Sequence, residues 1–351
     1  MSEQSTSFSP DTALMALYQQ FSTAQTPLWW FADEHVAAQP LPAARDNWRS
    51  FSNRCDIATL LQAAGYPVEL GDFVLPLDAE PPKSVCYRVS KEKALVHYLI
   101  NQALAVLPVG GSLHLAGHKN DGLHSYAKKA AGLVGAVAEI KKHSGAAYIA
   151  TIHKRSEPSG LLPDSDYTHI QEIASSPSLY SKPGVFGWQK IDRGSALLVE
   201  QLPVFLAGFS QQPKSLVDLG CGYGFIAVMA AAQLPASHWL LTDNNATALL
   251  AARKNCDVHG IEAQIELADC AAGLSGPYDA VLCNPPFHKG FAVAGSLTDQ
   301  FIAAAHRLLK PKGRALFVVN QFIPLERKAA LFASAEVLAE HEGFKVVCLS
   351  K

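Results

Sequence analysis

Short apolar runs that stop abruptly at a glycine or an acid recur along the second half of the chain. Ser215-Leu216-Val217 ends at Asp218 and Trp239-Leu240-Leu241-Thr242 at Asp243, and the strand-like run Ala263-Gln264-Ile265-Glu266-Leu267-Ala268 also ends in an acid, Asp269. Ala280-Val281-Leu282-Cys283 ends at Asn284-Pro285-Pro286-Phe287. Runs of this kind, bounded by turn residues, read as buried strands, and Phe225 to Ala232 reads as the start of a helix between the first two. Ala315 to Val319 and Phe344 to Cys348 are candidates for late strands of the same sheet, while Lys93 to Ile100 and Ala127 to Ala138 supply helices in the first half. Strands alternating with helices predict an α/β architecture.

Asp218-Leu219-Gly220-Cys221-Gly222-Tyr223-Gly224 joins the first of these strands to its helix. Such a junction needs glycine where φ is positive or where a ligand approaches the backbone with no Cβ in the way. A dinucleotide fingerprint counted from Gly220 would need glycine at the sixth position, which is Phe225; the glycine falls at the fifth, Gly224. That spacing weighs against NAD. The turn resembles the one found in class I S-adenosylmethionine-dependent methyltransferases, where an acid ends the first strand before G-x-G-x-G. The resemblance implies that Asp218, Gly220, Gly222 and Gly224 cradle the cofactor, that Asp243 with Asn244 takes its ribose hydroxyls, and that Asp269 contacts its adenine amino group. Each acid alone is explained as well by a helix cap. Three acids at successive strand ends, with the glycines, favour the cofactor, because ligands of open α/β sheets bind at the carboxyl ends of the strands.

Asn284-Pro285-Pro286-Phe287 suggests the other half of the reaction. An exocyclic amine on a base ring is a poor nucleophile, since its lone pair is delocalised into the ring. Two acceptors that bind its two hydrogens favour the geometry in which the lone pair points at the methyl donor. The Asn284 amide oxygen and the Pro285 carbonyl can supply them, the prolines stiffen the turn, and Phe287 offers a face for stacking the base. An ordinary Asn-Pro turn is the plainer reading, but it leaves the upstream glycine motif unused.

With His288 following, this loop resembles that of the bacterial ribosomal RNA small subunit methyltransferase C family. Lys182-Pro183-Gly184-Val185-Phe186 and Asp192-Arg193-Gly194-Ser195-Ala196-Leu197-Leu198 are similar to two further segments of that family. The resemblance covers about 180 to 351 and is diffuse before that; Lys289-Gly290 stands where many relatives carry an acid before the glycine. It implies transfer of a methyl group from S-adenosylmethionine to the N2 amine of a guanine in 16S ribosomal RNA. It further implies catalytic roles for Asn284, Pro285 and Phe287, substrate contacts from Pro286, Phe287 and His288, and a cofactor segment built on Phe186, Asp192 and Ser195, with Asn284 also facing the cofactor. Adenine N6 or a protein glutamine as acceptor, a guanine of the large subunit, and a catalytically silent RNA-binding or assembly module stay open on motif alone.

The two halves of the chain echo one another. Pro108 to Leu115 resembles Pro311 to Val318, and Val85-Cys86-Tyr87-Arg88 precedes its helix as Leu282-Cys283-Asn284-Pro285 precedes the later one. The earlier copy has no G-x-G-x-G and carries Tyr87-Arg88 in place of Asn-Pro. The expected fold is therefore a tandem of two Rossmann-like methyltransferase domains. The first, 1–180, is degenerate and serves in RNA contact or in stabilising the second. The second, 181–351, is a seven-stranded class I catalytic domain whose last strands are antiparallel. The boundary is expected within Lys154 to Pro183, where Ser, Pro, Asp and Gly cluster. The first fifty residues read as a packed amino-terminal helix with Trp29-Trp30-Phe31 and Trp48 as core.

Composition narrows the picture only at its edges. Net charge is −2, unusual for a nucleic-acid binder, so any RNA contact must use a local basic face; Lys128-Lys129, Lys141-Lys142-His143, Lys154-Arg155 and Lys310 with Lys312 and Arg314 are the candidates. Seven cysteines form no C-x-x-C pair and the thirteen histidines no H-E-x-x-H motif, so no metal is expected and the thiols should be reduced. With no long apolar run and no leader-like amino terminus, the expectation is a cytoplasmic monomer without membrane contact. Its expected partner is ribosomal RNA within the small subunit or an assembly intermediate.

Overall fold

The computed structural model describes residues 11–76, 78–286 and 291–351. The chain divides into two compact units, Met1–His169 and Ile170–Lys351.

The first unit contains β1 (Leu28–Phe31), β2 (Trp48–Ser52), β3 (Val68–Leu70), β4 (Ser84–Arg88), β5 (Ser112–His118), β6 (Glu139–Lys142) and β7 (Ala147–His153). They form one sheet in the order β3-β2-β1-β4-β5-β7-β6, with β1 to β5 parallel and β7 antiparallel to both its neighbours. The second unit opens with a hairpin, β8 (Gln171–Ile173) and β9 (Ser176–Ser181). The Asn255 side chain anchors the hairpin by bonding both the amide and the carbonyl of Tyr180 at 2.8 Å. Next come β10 (Ser215–Leu219), β11 (His238–Asp243), β12 (Ala263–Leu267), β13 (Tyr278–Cys283), β14 (Leu309–Asn320), β15 (Ser334–His341) and β16 (Phe344–Ser350). Their order, β12-β11-β10-β13-β14-β16-β15, repeats that of the first sheet, again with the penultimate strand antiparallel to its neighbours.

Both sheets are covered on both faces, which explains why their central strands read as unbroken apolar runs. In the second unit, Leu216, Leu241, Leu282 and Leu316 pack into one layer; Val217, Leu240, Val281 and Ala315 pack into the other. In the first, Trp29, Phe31 and Phe51 point to one side and Leu28, Trp30 and Trp48 to the other.

The amino-terminal helix is Thr12–Phe21, capped by Asp11, and Trp29-Trp30-Phe31 and Trp48 are buried core as expected, carried on β1 and β2. A strand buried on both faces loses the period-2 signature that would have identified it. Lys154 is not part of a basic surface: it is 2% exposed, and its ammonium donates to the carbonyls of Leu104 and Leu107 and to Glu157. It thereby satisfies carbonyls at the end of helix Lys93–Val106 that would otherwise lack donors. Among the described residues, no helix is long and apolar enough to cross a membrane.

Candidate active site

Asp218, Asp243, Asp269 and Asn284 lie at or just beyond the carboxyl ends of adjacent strands, β10, β11, β12 and β13. The glycine turn after β10 has positive φ at all three glycines, 76° at Gly220, 55° at Gly222 and 85° at Gly224. What surrounds each one differs. A Cβ on Gly220 would press on the Phe301 ring at 3.2 Å and one on Gly224 would meet Leu241 at 3.3 Å, so these two serve close packing. At Gly222 a Cβ would meet nothing within 4 Å. That glycine borders open space, the cradle a ligand needs at this turn.

The acids hold the turn in shape. Asp243 accepts the Gly222 amide through Oδ2 and the Asn245 amide through Oδ1, each at 2.9 Å. One carboxylate thus ties the glycine turn to the start of helix Ala246–His259. It stays partly exposed at the mouth of the turn. Asn244 beside it is also partly exposed. Asp218 is fully buried; its Oδ2 accepts the Ala227 amide at 3.0 Å in helix Phe225–Ala231, and Oδ1 has no partner. Burial, reinforced by the Asp243 charge, pushes its carboxyl up to about 7. Asp269, partly exposed, opens a short turn in which Cys270 and Ala271 both have positive φ, 44° and 53°. Strained backbone of this kind persists where surrounding structure enforces it, and it clusters at ligand sites.

Asn284 follows β13 directly. Its Nδ2 donates to Asp192 Oδ2 at 2.9 Å and to Ser195 Oγ at 2.8 Å. A carboxylate only accepts hydrogen bonds, so the amide cannot be flipped, and its oxygen stays outside this lock. Asp192 is also the N-cap of helix Arg193–Glu200, accepting the Ser195 amide at 2.8 Å. Pro285 is buried and Pro286 exposed. Phe186 is 56% exposed on the turn between Gly184 and Gly187, both at positive φ. Phe287 and His288 lie outside the described residues. The structure brings Asp192, Ser195 and Asn284 into one hydrogen-bonded group, and a separate bond from Asn245 Nδ2 to the Gly184 carbonyl, at 3.4 Å, ties the segment before Phe186 to the Asp243 corner. Sequence reasoning missed Asn245; its only signal was an Asx residue just before a helical run. A shallow depression lined by His238, Glu262, Gln264 and Tyr278 sits at the opposite, amino ends of the strands.

The strand registers show what stands at these positions in the first unit. Val85 pairs with Leu113 as Leu282 pairs with Leu316, and β1 then sets Trp29 where β10 has Asp218. Carried outward through β2 and β3, the registers equate Phe51 with Asp243 and Phe73 with Ala271. The backbone supports the match independently, since Phe73 has φ 55° and Ala271 φ 53°. Tyr87 stands for Asn284 and Phe31 for Gly220. Phe31 lies 5.9 to 6.1 Å, centroid to centroid, from Phe51, Phe73 and Tyr87, and Trp29 lies 5.1 Å from Phe51. Aromatic rings thus stand in the first unit at the register positions of Asp218, Gly220, Asp243 and Asn284, while Gly71 stands at that of Asp269.

The methyltransferase small domain family matches residues 177–348. The ribosomal RNA small subunit methyltransferase C of Yersinia pseudotuberculosis serotype IB is 30% identical over 265 residues, 75% of this chain and 73% of its own. That of Yersinia enterocolitica serotype O:8 is 29% identical over 302 residues, 86% and 81% of the two chains. A solved T. thermophilus 16S rRNA N2 methyltransferase, in complex with AdoMet and guanosine, superimposes with a TM-score of 0.78 at 24% identity, covering 96% of this chain and 92% of that one. Its fold therefore matches across both halves, not the second alone. With a glycine turn, three strand-end acids and an oriented asparagine built on that fold, the chain belongs to the ribosomal RNA small subunit methyltransferase C family.

Proposed function

We propose that the protein transfers the methyl group of S-adenosylmethionine to the exocyclic N2 amine of a guanine in small subunit ribosomal RNA. The observation that carries this reading is the fixed amide of Asn284, whose nitrogen is committed to Asp192 and Ser195 and whose oxygen is left to accept from an amine. When bound, S-adenosylmethionine supplies an activated methyl group on a sulfonium.

The rest falls to the chain's own residues. Asp243, with Asn244, takes the ribose hydroxyls, Asp269 the adenine amino group, and Gly222 leaves the room the cofactor needs; Asp218 keeps the turn in place from beneath. Asn284 Oδ1 and the Pro285 carbonyl accept the two hydrogens of the guanine amine and aim its lone pair. As the new bond forms, positive charge develops on that nitrogen, and the two oxygens stabilise it where it develops. Alignment of the reacting atoms supplies much of the remaining acceleration. The proton then leaves to solvent. Phe186 closes over the cofactor, and Pro286, Phe287 and His288 take the role of contacting the base. A paired guanine must leave its stack to reach such a site. The protein works as a monomer in the cytoplasm on the small subunit or its precursor.

The test is mass spectrometry of ribosomal RNA from cells lacking the protein, with mapping of the lost methyl group. Loss of one N2-methylguanine from the small subunit RNA is expected. Loss from the large subunit, or no loss at all, would contradict the assignment.

A further inference from the structure

A charged edge of the first unit is unused by the chemistry above. β6 ends its sheet, and helix Leu123–Leu133 packs over the neighbouring strands β7 and β5, turning Leu123, Tyr126, Ala127, Ala130 and Ala131 inward and Lys128 and Lys129 outward. The β6–β7 register places Lys142 opposite Tyr148 and Lys141 opposite Ile149. Tyr148 packs with the helix-side core and Ile149 with the opposite one, so the two lysines emerge on the two faces of the edge. His124 stands edge-on to Tyr148 at 4.8 Å, and Lys128 is one turn further along the helix. The Lys119 amide bonds to the Ala146 carbonyl and the Arg155 amide to the Val134 carbonyl, which brings a cation to each end of the strip. Lys119, Lys128, Lys129, Lys141, Lys142 and Arg155 are all exposed; among the residues from Lys119 to Arg155, Glu139 is the one exposed carboxylate.

Lysines on an edge strand have a plainer use, since charge there discourages pairing with another chain. Either sign serves that purpose, and the molecule contains the comparison. β15 is the equivalent edge of the second sheet, and it carries exposed Glu336 and Glu340 with no lysine or arginine. Edge protection thus explains charge on β6 but neither its sign nor its continuation onto the helix. In a chain of net charge −2, a cationic strip of this extent is a local concentration rather than a reflection of composition.

We propose that this strip, Lys141 and Lys142 at its centre, docks the phosphate backbone of the substrate RNA and holds it while the second unit acts. The proposal rests on the RNA reading of the function and adds a place of contact to it. Lysines reading phosphates position an RNA without selecting its sequence. The first unit would then contribute affinity, and the second the choice of atom.

The experiment uses the full chain and in vitro transcribed 16S ribosomal RNA, with binding followed by filter retention across a range of salt. Lys141→Gln/Lys142→Gln is compared with Lys91→Gln/Lys93→Gln, which removes the same charge from exposed positions of the same unit. The first pair should weaken RNA binding about fivefold or more and flatten the log–log salt dependence by about 1.4 for two lost contacts to single-stranded RNA. The second pair should stay within about twofold of the parent. S-adenosylmethionine affinity should be unchanged in both. Equal losses in the two pairs, or no loss in the first, would overturn the proposal. Asn284→Ala separates this from the functional reading: it should slow transfer about a hundredfold or more while RNA affinity stays within about twofold, so either claim can fail without the other.

Discussion

Asn284 Nδ2 lies 2.9 Å from Asp192 Oδ2, a bond between residues 92 positions apart in the chain. The same carboxyl oxygen caps helix Arg193–Glu200 through the Ser195 amide. Asp192 therefore fixes a helix start and an amide orientation at once, and the two roles can be separated. Asp192→Ala should cost about 0.5–2 kcal/mol of stability through the lost cap and should also lower kcat. Ser195→Ala keeps the cap and removes one of the two bonds on the amide, so kcat should fall severalfold with melting temperature nearly unchanged. Thermal melts alongside steady-state kinetics distinguish these outcomes. A full wild-type kcat in Ser195→Ala and Asp192→Ala alike would mean that amide orientation is irrelevant.

Cofactor affinity should depend on the Asp243 corner. Asp243→Ala removes the acceptor for the Gly222 and Asn245 amides as well as the proposed ribose contacts, and should weaken S-adenosylmethionine binding by about 1–3 kcal/mol. Gly222→Ala is the companion variant. Its methyl group meets no protein atom, so the fold should bear only the cost of a non-glycine residue at positive φ, roughly 1–2 kcal/mol, while the cofactor loses its room. Calorimetry on folded protein checks both, and unchanged affinity in either would remove that residue from the site.

One cofactor should bind per chain. The positions of Asp218, Gly220, Asp243 and Asn284 are held in the first unit by Trp29, Phe31, Phe51 and Tyr87, which are buried and packed together with Phe73. Titration of the whole protein should give a single site that disappears in an Asp243→Ala/Gly222→Ala double variant. A residual second site of comparable affinity would show that the aromatic filling can open.

Asp218 makes stability depend on pH in an identifiable direction. Its carboxyl titrates near 3.8 in the unfolded chain and at about 7 when folded, because burial disfavours the charge. Between those values the folded state holds a proton that the unfolded state has released, so stability should fall as pH rises through that window and level off above it. Asp279 acts the other way and elsewhere. Despite partial burial, bonds from Lys310, Lys214 and Ser215 hold it at about 2, so its contribution is lost only as pH drops below 3.8. Urea midpoints measured at roughly pH 5 and pH 8 should differ less for Asp218→Asn than for the parent. An identical pH slope in the two proteins would contradict the assignment.

Much of the second unit was legible in the sequence because its strands announce their ends. Asp218, Asp243 and Asn284 each close an apolar run, and glycines mark where the chain must turn. The first unit gave less, for the same physical reason inverted. Trp29-Trp30-Phe31 is followed by Ala32 before Asp33, so the acid stands two residues past the strand, and Trp29 and Phe51 hold the register positions of Asp218 and Asp243. The internal repeat remained visible at Val85-Cys86 and Leu282-Cys283, where core packing rather than chemistry sets the residue type. Lys154 looked like surface charge because nothing local shows that its ammonium reaches carbonyls nearly fifty residues earlier. The Asp192–Asn284 bond was invisible for a similar reason. Both residues could be singled out by resemblance, but their contact depends on a helix folding back across the ends of the strands.

The central claim is that the Asn284 oxygen orients and stabilises the attacking amine. It is tested most directly by single-turnover methyl transfer to small subunit ribosomal RNA by Asn284→Ala at saturating S-adenosylmethionine. The rate should fall by about a hundredfold or more, as for loss of one oriented transition-state partner, while cofactor affinity barely changes. A near-normal rate in that variant would contradict the account.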